Sequence, residues 1–396
     1  MKSIHAVRLA ERMSRLGTES AFEVLARARQ LEARGKSIIH LEIGEPDFPT
    51  PANIETAAVR ALRDGYTHYT PAQGLPALRE AVAAYVSRTR GVEVDPDEVL
   101  IGTGGKAILY IVLTALLEPG DEVIYPDPGY PIYESMIRFL GAQAVPVRLR
   151  EEAEFAMTAE DIAAALTPRT RMLIVNSPHN PTGGVLPREE VRRLAQLLAD
   201  RDVIVFSDEI YSRILFEGEH HSLFSEPGMR ECTVLMDGYS KTYAMTGWRL
   251  GFGVMPKELA RAATQLTINV NSCAAAFTQM AGIEALRGDQ SAVDAMVAEF
   301  RRRRDACLAG LRSIPGFRCQ QPHGAFYMFP NIEATGYRSR ELQEALLNEA
   351  GVAVLSGTAF GPNGEGFLRL SVANSLENIE AAMTRIRNWM LAHPRA

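Results

Sequence analysis

A lysine, an aspartate and an arginine, each beside a short apolar run, are the residues through which this sequence could do chemistry. The segment DGYSKTYAMTGWRLGF (237–252) places Lys241 where a strand gives way to a loop, with Ser240 before it and Arg249 eight residues on. A lysine buried at such a place is costly unless its charge is lost or used. Schiff-base formation with an aldehyde cofactor removes that cost and provides covalent catalysis. The alternative is a surface lysine on a loop, and the flanking aromatic and small apolar residues speak against it. Lysine occurs only at positions 2, 36, 106, 241 and 257, so any mechanism that needs one has few candidates.

SDEIY (207–211) sets Asp208 directly after a Val-Ile-Val-Phe run. An ionised carboxylate that deep needs a cationic partner. A protonated pyridine nitrogen is one, and keeping that nitrogen charged makes its ring an electron sink. A helix N-cap is the plainer role for an aspartate after a strand. GTGGKAILY (102–110) puts glycines between a strand and an apolar helix, where bare N–H groups make an anion site. Alone this turn is a weak signal; Arg249 and Lys106 as nearby cations strengthen it. In NSPHNPTGG (176–184), by default a tight loop, Asn180 could present its amide to a ligand. Tyr130, ending PDPGY, offers a flat face for a heteroaromatic ring. In FLRLSV (367–372) Arg369 interrupts an apolar strand and calls for an anion. A bidentate grip on a substrate carboxylate and a structural salt bridge are both good solutions.

These segments need a scaffold, and the sequence predicts one. Short runs rich in β-branched residues recur at Val99–Ile101, Val123–Tyr125, Met172–Val175, Val203–Phe206, Thr233–Met236 and Leu250–Met255. They read as strands of a mostly parallel sheet buried on both faces. Between them lie helical patterns such as 188–198, with Val191, Leu194, Ala195 and Leu198 on one face. The expected fold class is α/β, with ligands beyond the carboxyl ends of the strands, where the polar clusters would converge. From about residue 290 a long charged helix, then GAFYMF (324–329) and FLRLSV, read as a second, smaller α+β domain. The boundaries expected are an arm and part of the small domain over 1–47, a large domain over 48–289 and a small domain over 290–396.

Composition narrows the function classes. The 396 residues are 46% hydrophobic and 23% charged, with a formal net charge of −6. That is the balance of a globular protein, without the basic patch that nucleic acid or an anionic membrane would favour. No apolar stretch is long enough to span a bilayer. The scattered Cys232, Cys273, Cys307 and Cys319 argue against a zinc site or a disulfide framework, so no metal is expected and a reducing cytoplasm suits the chain. MKSIHAVRLAERMSR (1–15) has the spaced basic residues of a transit peptide, but Glu11 and Glu19 interrupt them and serines are few. A short arm leading into a helix is the better reading.

Taken together, these motifs resemble the class I/II aminotransferases of pyridoxal-phosphate fold type I, the aspartate aminotransferase-like group. The resemblance runs from LEIGEPDFPTP (41–51) to FLRLSVAN (367–374), with the motifs in the family's order. It implies a large domain with a seven-stranded sheet sandwiched by helices, a smaller domain built from both chain ends, and a homodimer with two shared active sites. By position, Lys241 resembles the Schiff-base lysine and proton shuttle, and Asp208 the partner of the pyridine nitrogen. Asn180 and Tyr211 resemble donors to the ring hydroxyl. Gly104, Gly105, Ser240 and Arg249 match phosphate-binding positions, and Tyr69 is similar to a tyrosine that reaches the neighbouring subunit's cofactor. Tyr130 matches the stacking aromatic, Arg369 the carboxylate-binding arginine, and Gly44 a backbone approach to that carboxylate. Lys106 matches a lysine that in some bacterial aspartate aminotransferases binds the distal carboxylate; a role at the phosphate or in solvent is the alternative. Two departures bear on phosphate binding. Gly238 falls where many members have serine or threonine, and Gly105 replaces a common serine or alanine.

The resemblance implies ping-pong transamination between an L-amino acid and a 2-oxo acid, with aspartate and glutamate favoured over aromatic amino acids or alanine. Two rivals remain. A lyase on the same fold, such as a cysteine-conjugate β-eliminase, would share the lysine, aspartate and arginine. A transcription regulator with an aminotransferase-like module would need an N-terminal DNA-binding domain, and about forty residues precede LEIGEPDF.

Overall fold

In the computed structural model, which describes residues 7–395, the apolar runs named above become strands of one seven-stranded sheet. In chain order these are β1 (Val99–Gly102), β2 (Glu122–Asp127), β3 (Gln143–Arg148), β4 (Thr170–Asn176), β5 (Ile204–Asp208), β6 (Thr233–Gly238) and β7 (Gly251–Val254). Across the sheet they lie in the order β1-β7-β6-β5-β4-β2-β3. Every pair is parallel except those made by β7, which runs antiparallel to β1 and β6. Residues 1–6 of the basic arm, Lys2 among them, lie outside the described residues.

Successive side chains point to opposite faces of the sheet, and both faces are covered. Ile101, Leu235 and Phe252 pack with the helix Pro76–Arg90 on one side. Leu100, Phe206 and Val234 pack with the helix Gly105–Leu116 on the other. The helix Arg188–Leu198 buries Val191, Leu194, Ala195 and Leu198, the face its periodicity predicts. The strand that the apolar runs do not predict is β3. It pairs only with β2, is largely exposed and contains Pro146. A strand at the sheet edge tolerates proline and polar side chains, so it lacks the β-branched signature of its buried neighbours.

A second core gathers around the three-stranded antiparallel sheet Leu355–Ser356, Leu368–Ser371, Tyr327–Met328, in that spatial order. Of the predicted GAFYMF strand only Tyr327–Met328 is extended in ladder pairing. The helices Ser291–Arg312 and Leu376–Ala392 pack on this core. The charged run of the first is not simply a solvated face. Arg304 is buried and bonds Glu217 at 2.7 Å, while Arg303 bonds Asp47 at 2.7 Å. Both chain ends meet here, because Ile39–His40 pairs in parallel with Val352–Ala353. No helix among the described residues is long and apolar enough to cross a membrane.

Candidate active site

The carboxyl ends of β1, β4, β5 and β6 open onto a cavity of about 440 Å³. Gly44, Gly105, Lys106, Tyr130, Asn180, Asp208, Tyr211, Ser240, Lys241, Arg249 and Arg369 all line it. Two of the cofactor-binding residues expected from the sequence do not. Gly104 lies just behind the wall, and Tyr69 is 89% exposed and outside this chain's cavity.

Asp208 ends β5, in register with Asn176 at the end of β4 and with Met236 on β6. One carboxylate oxygen accepts from the Tyr133 hydroxyl at 2.5 Å, the other from the Ile210 amide at 3.2 Å. Burial pushes its pKa up to about 6, against the pull of those two donors. The Ile210 bond is all that remains of the N-cap alternative, since turns rather than a helix follow. Next to it, buried Glu209 is clamped by Arg90 Nε at 2.7 Å, His220 Nε2 at 2.9 Å and Ser207 Oγ at 2.8 Å. This anchor fixes the strand end from which Asp208 projects.

Lys241 follows β6 in a one-turn helix, Tyr239–Thr242, rather than in an open loop. Its Nζ donates to the Gly44 carbonyl and has no carboxylate in ion-pair contact among the described residues. Burial lowers its pKa to about 8, with Glu45 opposing the shift. Arg249 adopts a left-handed backbone (φ 57°), an uncommon conformation for a side-chain-bearing residue and one that gathers at functional sites. Its guanidinium donates to the carbonyls of Thr246 at 2.7 Å and Thr103 at 3.4 Å, again with no carboxylate partner among the described residues. Gly104 has φ +99°, and a Cβ there would sit 2.6 Å from Arg249 Nη2. Only glycine lets this guanidinium lie across the start of the helix Gly105–Leu116. A Cβ on Gly105 would meet Met236 Sδ at 2.7 Å, which accounts for the absence of the family's serine or alanine. Gly238 packs against Ile210 and Gly251 rather than on the cavity wall.

Arg369 enters from the other core. It is buried on Leu368–Ser371, with Leu368 and Leu370 on the opposite face of the strand. Its Nη1 donates to Asn180 Oδ1 at 3.3 Å and its Nη2 to the Glu42 carbonyl, while Nε is buried without a partner. The guanidinium carbon lies 4.6 Å from the ring centre of Tyr327, whose hydroxyl is 2.7 Å from that of Tyr211. Asn176 Oδ1 accepts from the Asn180 amide at 2.9 Å and so fixes the asparagine loop. His179 is kept neutral by burial, with its pKa pushed down to about 3, and Nδ1 lies 2.8 Å from Thr182 Oγ1. At the distal end Lys106 pairs with Glu19, and the Tyr130 hydroxyl donates to the same Glu19 carboxylate at 3.0 Å.

Sequence reasoning missed Glu19, Tyr133, Asn176 and Tyr327 in this wall. Asn176 heads NSPHNPTGG, so its position after a strand was a usable signal. The two tyrosines look like core aromatics, and nothing local ties Glu19 to residues beyond the first sheet strand.

With this geometry in hand, the chain can be set beside known proteins. The family described as Aminotransferase class I and II matches residues 36–386. An aspartate aminotransferase of Pyrococcus horikoshii is 41% identical over 380 residues, 96% of this chain and 96% of that protein. An arginine–pyruvate transaminase of Pseudomonas aeruginosa is 40% identical over 93% of each chain. The structure of aspartate aminotransferase from Thermus thermophilus with maleate superposes with a TM-score of 0.92 at 39% identity, covering 97% of this chain and 100% of that one. Matches of this extent leave one assignment: the chain belongs to the class I and II aminotransferases and is a pyridoxal-phosphate-dependent transaminase.

Proposed function

We propose that this enzyme moves an amino group between an L-amino acid and a 2-oxo acid in a ping-pong cycle, in which Lys241 holds the cofactor and shuttles the proton. The observation that carries the reading is a set of cationic groups facing one cavity without carboxylate partners among the described residues. Lys241 is an amine of lowered pKa, Arg249 touches only carbonyls, and Arg369 keeps a buried, unpartnered Nε. These groups fit the aldehyde, the phosphate and a substrate carboxylate respectively. Pyridoxal phosphate, when bound, supplies an aldehyde for the lysine and an electron-withdrawing ring for the substrate's Cα.

The chain's own groups do the rest. Arg249 and the N–H groups at the start of Gly105–Leu116 neutralise the phosphate, with Ser240 beside them. Asp208, held by Tyr133, faces the ring nitrogen, and its raised pKa means the carboxylate gains from a cationic partner. Tyr130 would supply a flat face for the ring, and Asn180 and Tyr211 would supply donors for its hydroxyl. Arg369 grips the substrate carboxylate next to Gly44, and Lys241 Nζ then carries the proton at Cα. A neutral amine can accept that proton, and a pKa near 8 leaves a useful fraction neutral at physiological pH.

A dicarboxylic amino acid of the aspartate or glutamate type serves one half of the cycle. The aspartate aminotransferase relatives, one solved with maleate, support this, and Lys106 supplies the distal cation. A homodimer with shared sites completes the picture, with the exposed Tyr69 reaching the partner's cofactor; a cytoplasmic setting suits the unpaired cysteines. The test is a panel of amino donors assayed with 2-oxoglutarate and pyruvate. Exchange of amino groups with 2-oxoglutarate is expected, whereas release of ammonia and pyruvate from cysteine conjugates without exchange would replace the reading with a lyase.

A further inference from the structure

The distal end of the cavity holds a charge that dicarboxylate binding does not call for. Glu19 sits immediately before the helix Ser20–Glu32 and its side chain makes no bond to the free N–H groups there. Its carboxylate turns into the cavity instead, pairs with Lys106 and accepts from Tyr130. From this geometry we propose that Glu19 is a specificity-determining residue that admits amino acids with basic side chains, receiving their distal ammonium or guanidinium in place of Lys106. The proposal rests on the transaminase reading and deepens it by naming a substrate class.

The two members of the pair are not equally free. The Glu19 side chain is 18% exposed and that of Lys106 49%. Tyr130 gives Glu19 a second anchor, its hydroxyl donating at 3.0 Å, so the carboxylate stays in place when the lysine leaves. Lys106 stands on a flexible four-carbon stem and regains water on swinging out, so its exposed ion pair is cheap to break. A cationic substrate therefore displaces the outer, mobile partner and inherits the inner, fixed one. An acidic substrate meets the opposite situation, since reaching Lys106 brings its carboxylate beside that of Glu19, and like charges repel. The Glu19 charge also bears on the rest of the cavity: it opposes the loss of the proton from Tyr130 and favours the charged forms of Lys241 and Arg369. The wall next to it suits a long side chain, because Ala21 and the 59% exposed Phe22 offer apolar surface to methylene groups on the way to a charged end. A ping-pong enzyme must fit two different substrates into one cavity; here the fixed Glu19 favours the cationic one, and Lys106 serves an acidic one against the repulsion of Glu19.

The experiment compares wild-type holoenzyme with Glu19→Gln, which keeps the shape and an acceptor for Tyr130 but removes the charge. Arginine, lysine, alanine and glutamate serve as donors with pyruvate as acceptor. In Glu19→Gln the kcat/KM of arginine and of lysine relative to alanine should fall roughly 10–100-fold, and that of glutamate relative to alanine should rise. A second readout needs no turnover: the calorimetric Kd of 4-guanidinobutyrate should weaken in the variant and that of succinate tighten. Unchanged ratios and unchanged Kd values, or a uniform loss for all four donors, overturn the assignment. A wild type that uses alanine or glutamate but neither basic donor also overturns it, and leaves the transaminase reading standing. Absence of exchange with every donor is the separate failure of that reading, and the two Kd values still decide the role of Glu19.

Discussion

Lys241 should cost the apoprotein stability, and replacing it by methionine should restore that stability while abolishing catalysis. In the fold its amine titrates near 8 against an ordinary 10.5, chiefly because it is surrounded by protein and no carboxylate contacts it among the described residues. The sign follows from linkage. The unfolded chain holds this proton more tightly than the fold, so the penalty is complete below pH 8 and disappears as pH rises toward 10.5. At about 1.4 kcal/mol per unit the full penalty is about 3–4 kcal/mol. Lys241 is only partly buried and faces an open cavity, so solvent screening lowers the expected gain to about 1–2 kcal/mol. Methionine fills the same slender space and gives up the bond to the Gly44 carbonyl and the contact of the ammonium with the Phe326 ring, 5.9 Å from its centre. The assay is thermal unfolding of the cofactor-free wild type and of Lys241→Met at pH 7 and pH 9. The variant should melt higher at pH 7, with a smaller advantage at pH 9, and transaminase activity should be lost by at least roughly 10²–10⁴-fold. A variant no more stable than wild type at pH 7 refutes the burial argument. An advantage of equal size at both pH values assigns the effect to packing instead of charge.

Three further substitutions probe the rest of the cavity. Asp208→Asn keeps the shape and an acceptor for Tyr133 while removing the charge; cofactor should remain bound and Cα proton exchange with solvent deuterium should slow roughly 10²–10³-fold. Exchange at the wild-type rate would reduce Asp208 to a structural role. Arg369→Lys exchanges a planar fork for a point charge, so KM should rise roughly tenfold or more for every amino donor, and an unchanged KM would remove it from the substrate carboxylate. Gly104→Ala forces a Cβ against Arg249 at a backbone angle that favours glycine, and fluorescence titration should show the cofactor Kd weakened roughly tenfold. A wild-type Kd would mean that Arg249 does not hold the phosphate.

Much of this protein is legible in the chain alone, for a local physical reason. Asp208, Lys241 and Arg369 each stand inside or at the end of an apolar run, where a charged group is conspicuous because burying it costs free energy. The six buried strands and the face of the helix Arg188–Leu198 are written in periodicity, which depends only on near neighbours. What the tertiary structure alone decided is which distant groups meet. The edge strand β3 has half its backbone unpaired by the sheet and therefore escapes the composition of its buried neighbours. Ile39–His40 and Val352–Ala353 are too short to announce themselves, yet their pairing draws the chain ends together. Tyr133 reads as a core aromatic until the fold lays its hydroxyl against Asp208. Glu19 reads as an acidic interruption of the basic arm until the fold sets it between Lys106 and Tyr130. Periodicity encodes which way a side chain faces; its partner depends on the packing of layers far apart in sequence, where many partners satisfy the same local pattern and only one arrangement fills the core.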